Sequence, residues 1–474
     1  MVLKNNPSSL KLLLENIVLV MITSFWFSSI PVAFLTLIRL LKNRNIFVEK
    51  NLERIHNDPI IIFQITTRSA TKTPVVKRGI NSIISSCHKI NYSDYQISVV
   101  SDDPQDITTL NGSSNCEVVI VDPKYKTYAI KKGRALQYAV EYRRKIGKES
   151  PNYWIFHMDD ESYVTSQTIL SLLKFIREGN AIAAEGPIFY PLKFESANRL
   201  TAIAESVRPF TCYDCVSQMT NPPPLHMHGS NLLIRSDIEG SIGWKFGPTL
   251  AEDQIFGYKV YEKCGPKSLG WHGGILLEQP PLNMKDHFMQ RRRWVLGSLQ
   301  NIDKFPFIHK FKMMFKLVTY FLGFISGVTS TILYIHTQVP KLLVLSSSIN
   351  EINQTINFNV EPWFDKFLNL FSSESMIYTL TNGSPVDIGI GLMLLFTSIM
   401  WLLSYQIGLF LNLQYSMINW PKRILFHLQT LMLCVVIGLV ETFPAFWAII
   451  EYYAKKKTNK NKTFPVYDFY VINK

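Results

Sequence analysis

The sequence predicts an α/β domain built on a largely parallel sheet and flanked by membrane-spanning segments. Three observations lead there. Short β-rich runs alternate with polar, helix-like stretches across residues 45–316; nearly uncharged apolar runs occupy 16–38, 317–335, 388–411 and 424–440; and only 18% of the 474 residues are charged against 47% hydrophobic. Globular domains usually carry about a quarter charged residues, so this composition excludes a disordered chain, a collagen-like chain and a small disulfide scaffold. The six cysteines form no disulfide pattern, which fits a main domain in a reducing, cytoplasm-facing compartment.

Taken in chain order, residues 1–44 form an N-terminal membrane anchor. The run 16–38 meets the roughly 20 apolar residues that a bilayer demands. It lacks a small-residue cleavage site and is followed by Arg39, Lys42, Arg44 and Lys50, as expected of a retained anchor with the next segment in the cytoplasm. Residues 45–316 are long enough for a core of their own, with strands expected at 59–66, 96–100, 117–121, 154–158 and 181–184. Ligands in parallel sheets bind beyond the carboxyl ends of strands, so the residues following each run are the candidates for chemistry. A C-terminal membrane region, 317–454, precedes a basic tail, 455–474. One span before the domain and three after it place both termini outside, whereas Lys455, Lys456, Lys457, Lys460 and Lys462 favour the cytoplasm. The expected resolution is a broken or re-entrant last segment, interrupted at Glu441 and Pro444.

The densest acidic signal, His157-Met158-Asp159-Asp160-Glu161, closes the fourth run. Carboxylates two positions apart at a strand end can converge on a hard divalent cation, Mg2+ or Mn2+, bridging diphosphate oxygens; a solvated turn has the same composition. Lys131-Lys132-Gly133-Arg134 follows the third strand and opens a helix, which suits phosphate oxygens as well as an ordinary basic helix face. Glu252 and Asp253 gain meaning if Asp253 shares the cleft of the acidic triplet, where its carboxylate can accept a proton from an attacking hydroxyl. Gln290-Arg291-Arg292-Arg293-Trp294 is either a juxtamembrane basic patch or part of the site. Cys212, Cys215, His226 and His228 offer a competing zinc set, with the two histidines closer than usual. The net charge of +13 suits anionic lipid, a phosphorylated substrate or nucleic acid equally, but no aromatic-basic nucleic-acid module is present in the sequence.

Asp102-Asp103, Lys132-Gly-Arg134-Ala-Leu-Gln, Asp159-Asp-Glu161, Gly229-Ser230-Asn231, Glu252-Asp253 and Gln290-x-x-Arg293-Trp294, in that order, resemble the motif series of membrane-bound family 2 glycosyltransferases. Within that family, Lys124-Tyr-Lys-Thr127, Arg134-Ala-Leu-Gln-Tyr138, His157-Met-Asp-Asp-Glu161 and Ala251-Glu-Asp253 look most like the egghead-type β-1,4-mannosyltransferases, which act on glucosylceramide. The resemblance covers about residues 59–297 and implies a glycosyltransferase A, Rossmann-like catalytic domain with flanking transmembrane helices. It further implies that Thr67, Arg68, Asp102, Asp103, Lys132, Arg134, Asp159 and Asp160 bind a nucleotide-sugar donor, and that Asp159 and Glu161 hold Mg2+ or Mn2+. Gly229, Ser230 and Asn231 would border a lipid or glycan acceptor. Asp253 would be the general base beside Glu252, and Gln290, Arg293 and Trp294 would close the cleft near membrane lipids. The implied reaction inverts configuration, with β-1,4-mannosyl transfer as its finest form, in a multi-pass protein whose catalytic domain faces the cytoplasm. A processive synthase of the hyaluronan or cellulose type is the alternative within the class. A membrane receptor or transporter with a phospholigand-binding domain is the alternative outside it.

Overall fold

The computed structural model describes residues 58–68, 73–110, 115–206, 224–325, 328 and 385–458. The first expected run forms β1 (Ile60–Thr66), its five central residues buried. In α1 (Thr73–Lys89), Val76, Ile80, Ile83 and Cys87 recur at helical spacing and are buried in the main core with β1. Next come β2 (Tyr95–Ser101), the short α2 (Gln105–Leu110), β3 (Cys116–Ile120), α3 (Lys131–Lys145), β4 (Tyr153–Asp159) and α4 (Ser166–Glu178). Helix α4 begins with a capping box, Thr165 and Thr168 each bonding the other's backbone N–H, and ends at Gly179 in the left-handed region (φ +62°). Then follow β5 (Ala183–Glu185), β6 (Ile188–Phe189), α5 (Arg199–Ser206), β7 (Leu232–Arg235), α6 (Ser236–Ile242), α7 (Glu252–Cys264), β8 (Leu269–Trp271), β9 (Leu276–Leu277) and α8 (Met284–Asn301).

All five expected strands are present, in a seven-stranded sheet of order β3-β2-β1-β4-β7-β5-β8. Strands β1 to β4 are mutually parallel, and β7 runs antiparallel between β4 and β5. The chain builds outward from β1 to β3, then crosses back to lay β4 on the other flank of β1. That reversal opens a crevice at the carboxyl ends of β1 and β4, where Thr66 pairs with Asp159.

Beneath the crevice lies a buried polar cluster. Arg143 of α3 donates to Gln64 of β1 and to Glu239 of α6, Trp244 Nε1 donates to Glu239 Oε1 at 2.8 Å, and His157 Nε2 sits 3.0 Å from the same carboxylate. Burial would raise the Glu239 pKa, but the charges of Arg143 and His157 outweigh it and hold the group at about 2. The cluster ties β1, α3, β4 and α6 together behind the crevice.

A helix over residues 307–325, here α9, leads toward α10 (Pro385–Gln414) and α11 (Trp420–Thr458). One hydrophobic cluster unites Val295, Leu296 and Leu299 of α8 with Met313 and Leu317 of α9 and Ala445, Ala448 and Tyr452 of α11. The core therefore runs across the boundary expected at 316/317. Asn412 of α10 clamps the backbone of Tyr190, accepting from its N–H at 2.6 Å and donating to its C=O at 3.2 Å.

Glu441 and Pro444, expected to interrupt the last apolar run, lie inside the continuous 39-residue helix α11. Among the described residues one stretch, Val436–Lys456, is long and apolar enough to cross a membrane, so the last candidate span is displaced toward the C-terminus from 424–440. Glu441 is tolerated because it faces cationic groups of the α/β domain, including Arg291. The run 16–38, residues 326–327 and 329–335 of the second run, and the tail lysines Lys460 and Lys462 lie outside the described residues.

Removing one partner of a buried ion pair typically costs about 3 to 5 kcal/mol. Glu239→Gln should therefore lower the unfolding midpoint in urea or heat, with the loss measured against wild type; an unchanged midpoint would show that the cluster adds nothing to stability.

Candidate active site

A cavity of about 750 Å³ opens at the crevice. Its polar half is lined by Thr67, Arg68, Asp102, Lys132, Arg134, Asp159, Asp160, Glu161, Gly229, Ser230, Glu252 and Asp253, and α8 adds Gln290, Arg291, Arg293 and Trp294. The apolar half comes from Leu225, Met227, Val295, Met313, Leu317, Tyr320 and Ala445. Residues spread over nearly four hundred positions of sequence thus meet in one space, part polar and part apolar.

Lys132, at the start of α3, is the central cation. Its ammonium donates to the Asp159 carboxylate and, at 2.8 Å, to the Gly229 carbonyl. Burial would lower its pKa, but Asp159, Glu252 and Asp253 outweigh that and raise it, so it stays charged. Arg134, two residues along, donates to Asp102 Oδ1 (2.8 Å) and to the carbonyls of Asp122 (2.6 Å) and Tyr125 (3.3 Å). It fastens the ends of β2 and β3 to α3. Thr67 Oγ1 donates to Asp160 Oδ2 at 3.4 Å, linking the ends of β1 and β4.

Asp253 lies in the first turn of α7, its Oδ1 accepting from the backbone N–H of Gln254 at 2.9 Å. Burial, chiefly, and then the charge of Glu252 push its carboxyl pKa up to about 7, with Lys132 pulling the other way. A carboxyl poised near neutrality can exchange a proton at working pH. Gly229 makes the approach possible, since a Cβ there would come within 3.1 Å of Asp253 Oδ2 and 3.4 Å of Lys132 Nζ. Gly297 serves in the same way one layer further out: a Cβ on it would stand 2.6 Å from that of Ala251, so α8 packs directly on the turn that presents Glu252 and Asp253.

Two expected residues do not reach the cavity. Asp103 is spent locally, accepting from the Gln105 N–H at 3.0 Å at the start of α2. Asn231, fully buried with φ +59°, donates to the carbonyls of Pro187 (2.8 Å) and Gly274 (2.9 Å). It pins the entry to β7, whereas its neighbours Gly229 and Ser230 face the cavity. Ser230 Oγ and Ser162 Oγ both donate to Glu278 Oε1, at 2.7 and 3.1 Å, and Ser162 in turn accepts from the Asp159 N–H at 3.1 Å. Glu278 thereby orders the acidic turn, although no motif marked it. Sequence reasoning also missed Lys316, Tyr320, Glu441 and Ala445. Glu441 had a signal: a carboxylate set within an apolar run marks a functional position by default. Cys212 and Cys215 lie outside the described residues, and no group of three potential metal ligands exists among those described.

Comparison with known proteins adds a likeness to the sheet and the cavity. Residues 154–350 match the family model described as Glycosyl transferase family group 2, a stretch that here lies on an α/β fold with a parallel-dominated sheet. More particularly, the chain is 25% identical to Beta-1,4-mannosyltransferase egh of Drosophila melanogaster over 264 residues, 53% of this chain and 55% of that protein. It is 27% identical to Beta-1,4-mannosyltransferase bre-3 of Caenorhabditis elegans over 266 residues, with the same coverage. The chain spans about half the length of the curated relatives it matches. A solved mannosyltransferase from Pyrobaculum calidifontis, in complex with GDP-Man and Mn2+, aligns over 93% of this chain and all of that one at 9% identity and a TM-score of 0.41.

Gly229→Ala should separate Lys132 from Asp253, since the added methyl meets the Asp253 carboxylate at 3.1 Å, closer than ordinary contact, with the Lys132 ammonium at 3.4 Å on its other side. Titration of the Asp253 carboxyl by isotope-edited NMR should then give a pKa further above 7 than in wild type, because the ammonium that lowers it has retreated; an unshifted titration would show that the site absorbs the methyl.

Proposed function

We propose that this protein transfers one or a few sugars, in the finest form β-1,4-linked mannose, from a nucleotide-sugar donor to a lipid or glycolipid acceptor with inversion at the anomeric carbon. The carrying observation is the convergence of Asp253, with its pKa near 7, on the cavity that also holds Lys132, Arg134, Asp159 and Glu161. The mannosyl detail rests on the likeness to egh and bre-3. The multi-pass arrangement with a cytoplasmic catalytic domain rests on the apolar runs and the flanking lysines and arginines.

The nucleoside end of the donor is assigned to Thr67, Arg68 and Asp102, and the diphosphate to Lys132 and Arg134. The acceptor enters from the apolar half, past Tyr320 and Trp294, with its hydroxyl directed at Asp253. That hydroxyl gives its proton to the Asp253 carboxylate as its oxygen bonds to the anomeric carbon. The bond from that carbon to the diphosphate oxygen breaks, and a nucleoside diphosphate leaves. A single displacement turns an α-linked donor into a β-glycoside. Lys132 and Arg134, held in place before the donor arrives, stabilise the charge that grows on the departing oxygen.

Asp159 and Glu161 suit Mg2+ or Mn2+, because Mg2+ is commonly held by one or two carboxylates together with substrate phosphates rather than by a full protein cage. When bound, such an ion would neutralise charge on the leaving diphosphate. Asp159 is already ordered for this by the Ser162 hydroxyl and Lys132.

Two measurements test the reading, using UDP- and GDP-activated mannose, glucose and N-acetylglucosamine with glucosylceramide in lipid nanodiscs. Asp253→Asn should abolish transfer, a loss of about 100-fold or more for a general base, while donor-dependent thermal stabilisation persists; normal turnover would remove Asp253 from that role. In wild type, Asp253 is protonated below its pKa and cannot accept the hydroxyl proton. The kcat/KM should therefore climb with pH through about 7 and level off above it; an acid limb near pH 4 would assign the base to a carboxyl of ordinary pKa.

A further inference from the structure

Gln290 and Trp294 sit one turn apart on α8, and the residue between them in contact with both is Arg291. Its guanidinium donates to Gln290 Oε1 at 3.0 Å and stacks 4.4 Å from the centre of the Trp294 ring. The guanidinium is itself held from two other elements. Glu441 of α11 receives a fork, Nε to Oε2 at 2.8 Å and Nη2 to Oε1 at 2.9 Å, and Glu205 of α5 lies 2.9 Å from Nη2. His287, one turn earlier on α8, faces the same two carboxylates at 3.4 and 3.3 Å. Burial would lower its pKa, but those carboxylates raise it. Arg291 and Glu441 both border the cavity.

We propose that Glu441 is a positioning residue for sugar transfer: through Arg291 it sets the orientation of Gln290 and Trp294 over the acceptor, making the C-terminal helix part of the active site. The inference rests on the transferase reading above. Planar, forked pairing fixes a guanidinium in angle as well as distance, and the stacked indole inherits that angle. Without Glu441, the guanidinium keeps Glu205 alone on its outer side and is free to tilt, and Gln290 and Trp294 lose their common support.

A neighbouring pair supplies the control. Arg292 donates a fork to Glu451, both bonds 2.6 Å, joining the same two helices away from the cavity lining. If the helix-to-helix link matters only for stability, the two pairs are equivalent. The experiment compares Glu441→Gln and Glu451→Gln in full-length protein in nanodiscs, with the donor and acceptor panel already described. Both variants should melt earlier. Only Glu441→Gln should lower kcat/KM for the acceptor, by about tenfold or more, with the donor dissociation constant within about twofold of wild type. Where Glu441→Gln fails to purify folded, Arg291→Lys takes its place, since it keeps the charge but loses the fork and the flat face; the same fall is expected. Equal losses in the Glu441 and Glu451 variants, or wild-type kinetics in the Glu441 or Arg291 variant, overturn the proposal alone. A wild-type protein that transfers no sugar from any donor overturns the transferase reading and this inference with it.

Discussion

The convergence of carboxylates on a single ammonium is the constraint on which the site depends. Asp159, Glu252 and Asp253 all act on Lys132, and without that cation their mutual repulsion in a partly dry cleft would drive them apart or protonate them. Lys132 can stand there because α3 starts beside the crevice. Lys131 takes a left-handed turn (φ +54°) into the helix, and Gly229 leaves the space through which the ammonium meets Asp253. One position thus links three structural facts: the reversal of strand order at β1 and β4, the missing side chain before β7, and the raised pKa of the carboxyl in α7. One ammonium thus holds the acidic groups of the cleft together, and under the proposed function it is also the group a diphosphate would meet.

Much of this was legible in the sequence, and the reasons are physical. Parallel strands buried on both faces read as continuous apolar runs, so β1 to β4 were visible with their boundaries displaced by a residue or so. The acidic triplet and the basic helix start were visible because chemistry at strand ends concentrates charge where the apolar run stops. Antiparallel β7 was not. Its four residues, Leu232–Arg235, are too few to show a period, and its place between β4 and β5 is decided by tertiary pairing. Nor could the sequence separate Asn231 from Gly229 and Ser230. Adjacent residues on a bend point in different directions, and only the left-handed conformation of Asn231 sends its amide into the core rather than toward a ligand. Asp103 shows the same limit, since beside Asp102 it has the same chemistry yet caps a helix.

The second set of residues hidden from sequence reasoning lies in the C-terminal helices. There the hydropathy pattern suggested a passive anchor, and the domain boundary fell where apolar composition began. The packing differs: Met313, Leu317, Ala445 and Ala448 share one core with Val295 and Leu299, and Tyr320 and Ala445 wall the cavity. An apolar run can face lipid on one side and a catalytic domain on the other, and composition averages the two faces. Trp447 and Ile450, half exposed, and Ala445 and Ala448, buried, alternate within two turns of α11.

The charges within that helix follow from the same division. A carboxylate in the middle of a spanning segment is expensive to insert, by about 2.5 to 3.5 kcal/mol at the helix centre, and neither Glu441 nor Glu451 would survive on a lipid-facing side. Both instead meet arginines of α8, consecutive in sequence and therefore about 100° apart around that helix. Arg291 turns toward the cavity and Arg292 away from it, so the basic run between Gln290 and Trp294 is not a uniform patch for anionic lipid. Net charge in this chain is accordingly a poor guide to partners. The cations that matter most, Lys132, Arg291 and Arg292, are each matched by a carboxylate of the same molecule, and their value lies in the geometry those pairs impose on the cleft and on its contact with the C-terminal helices.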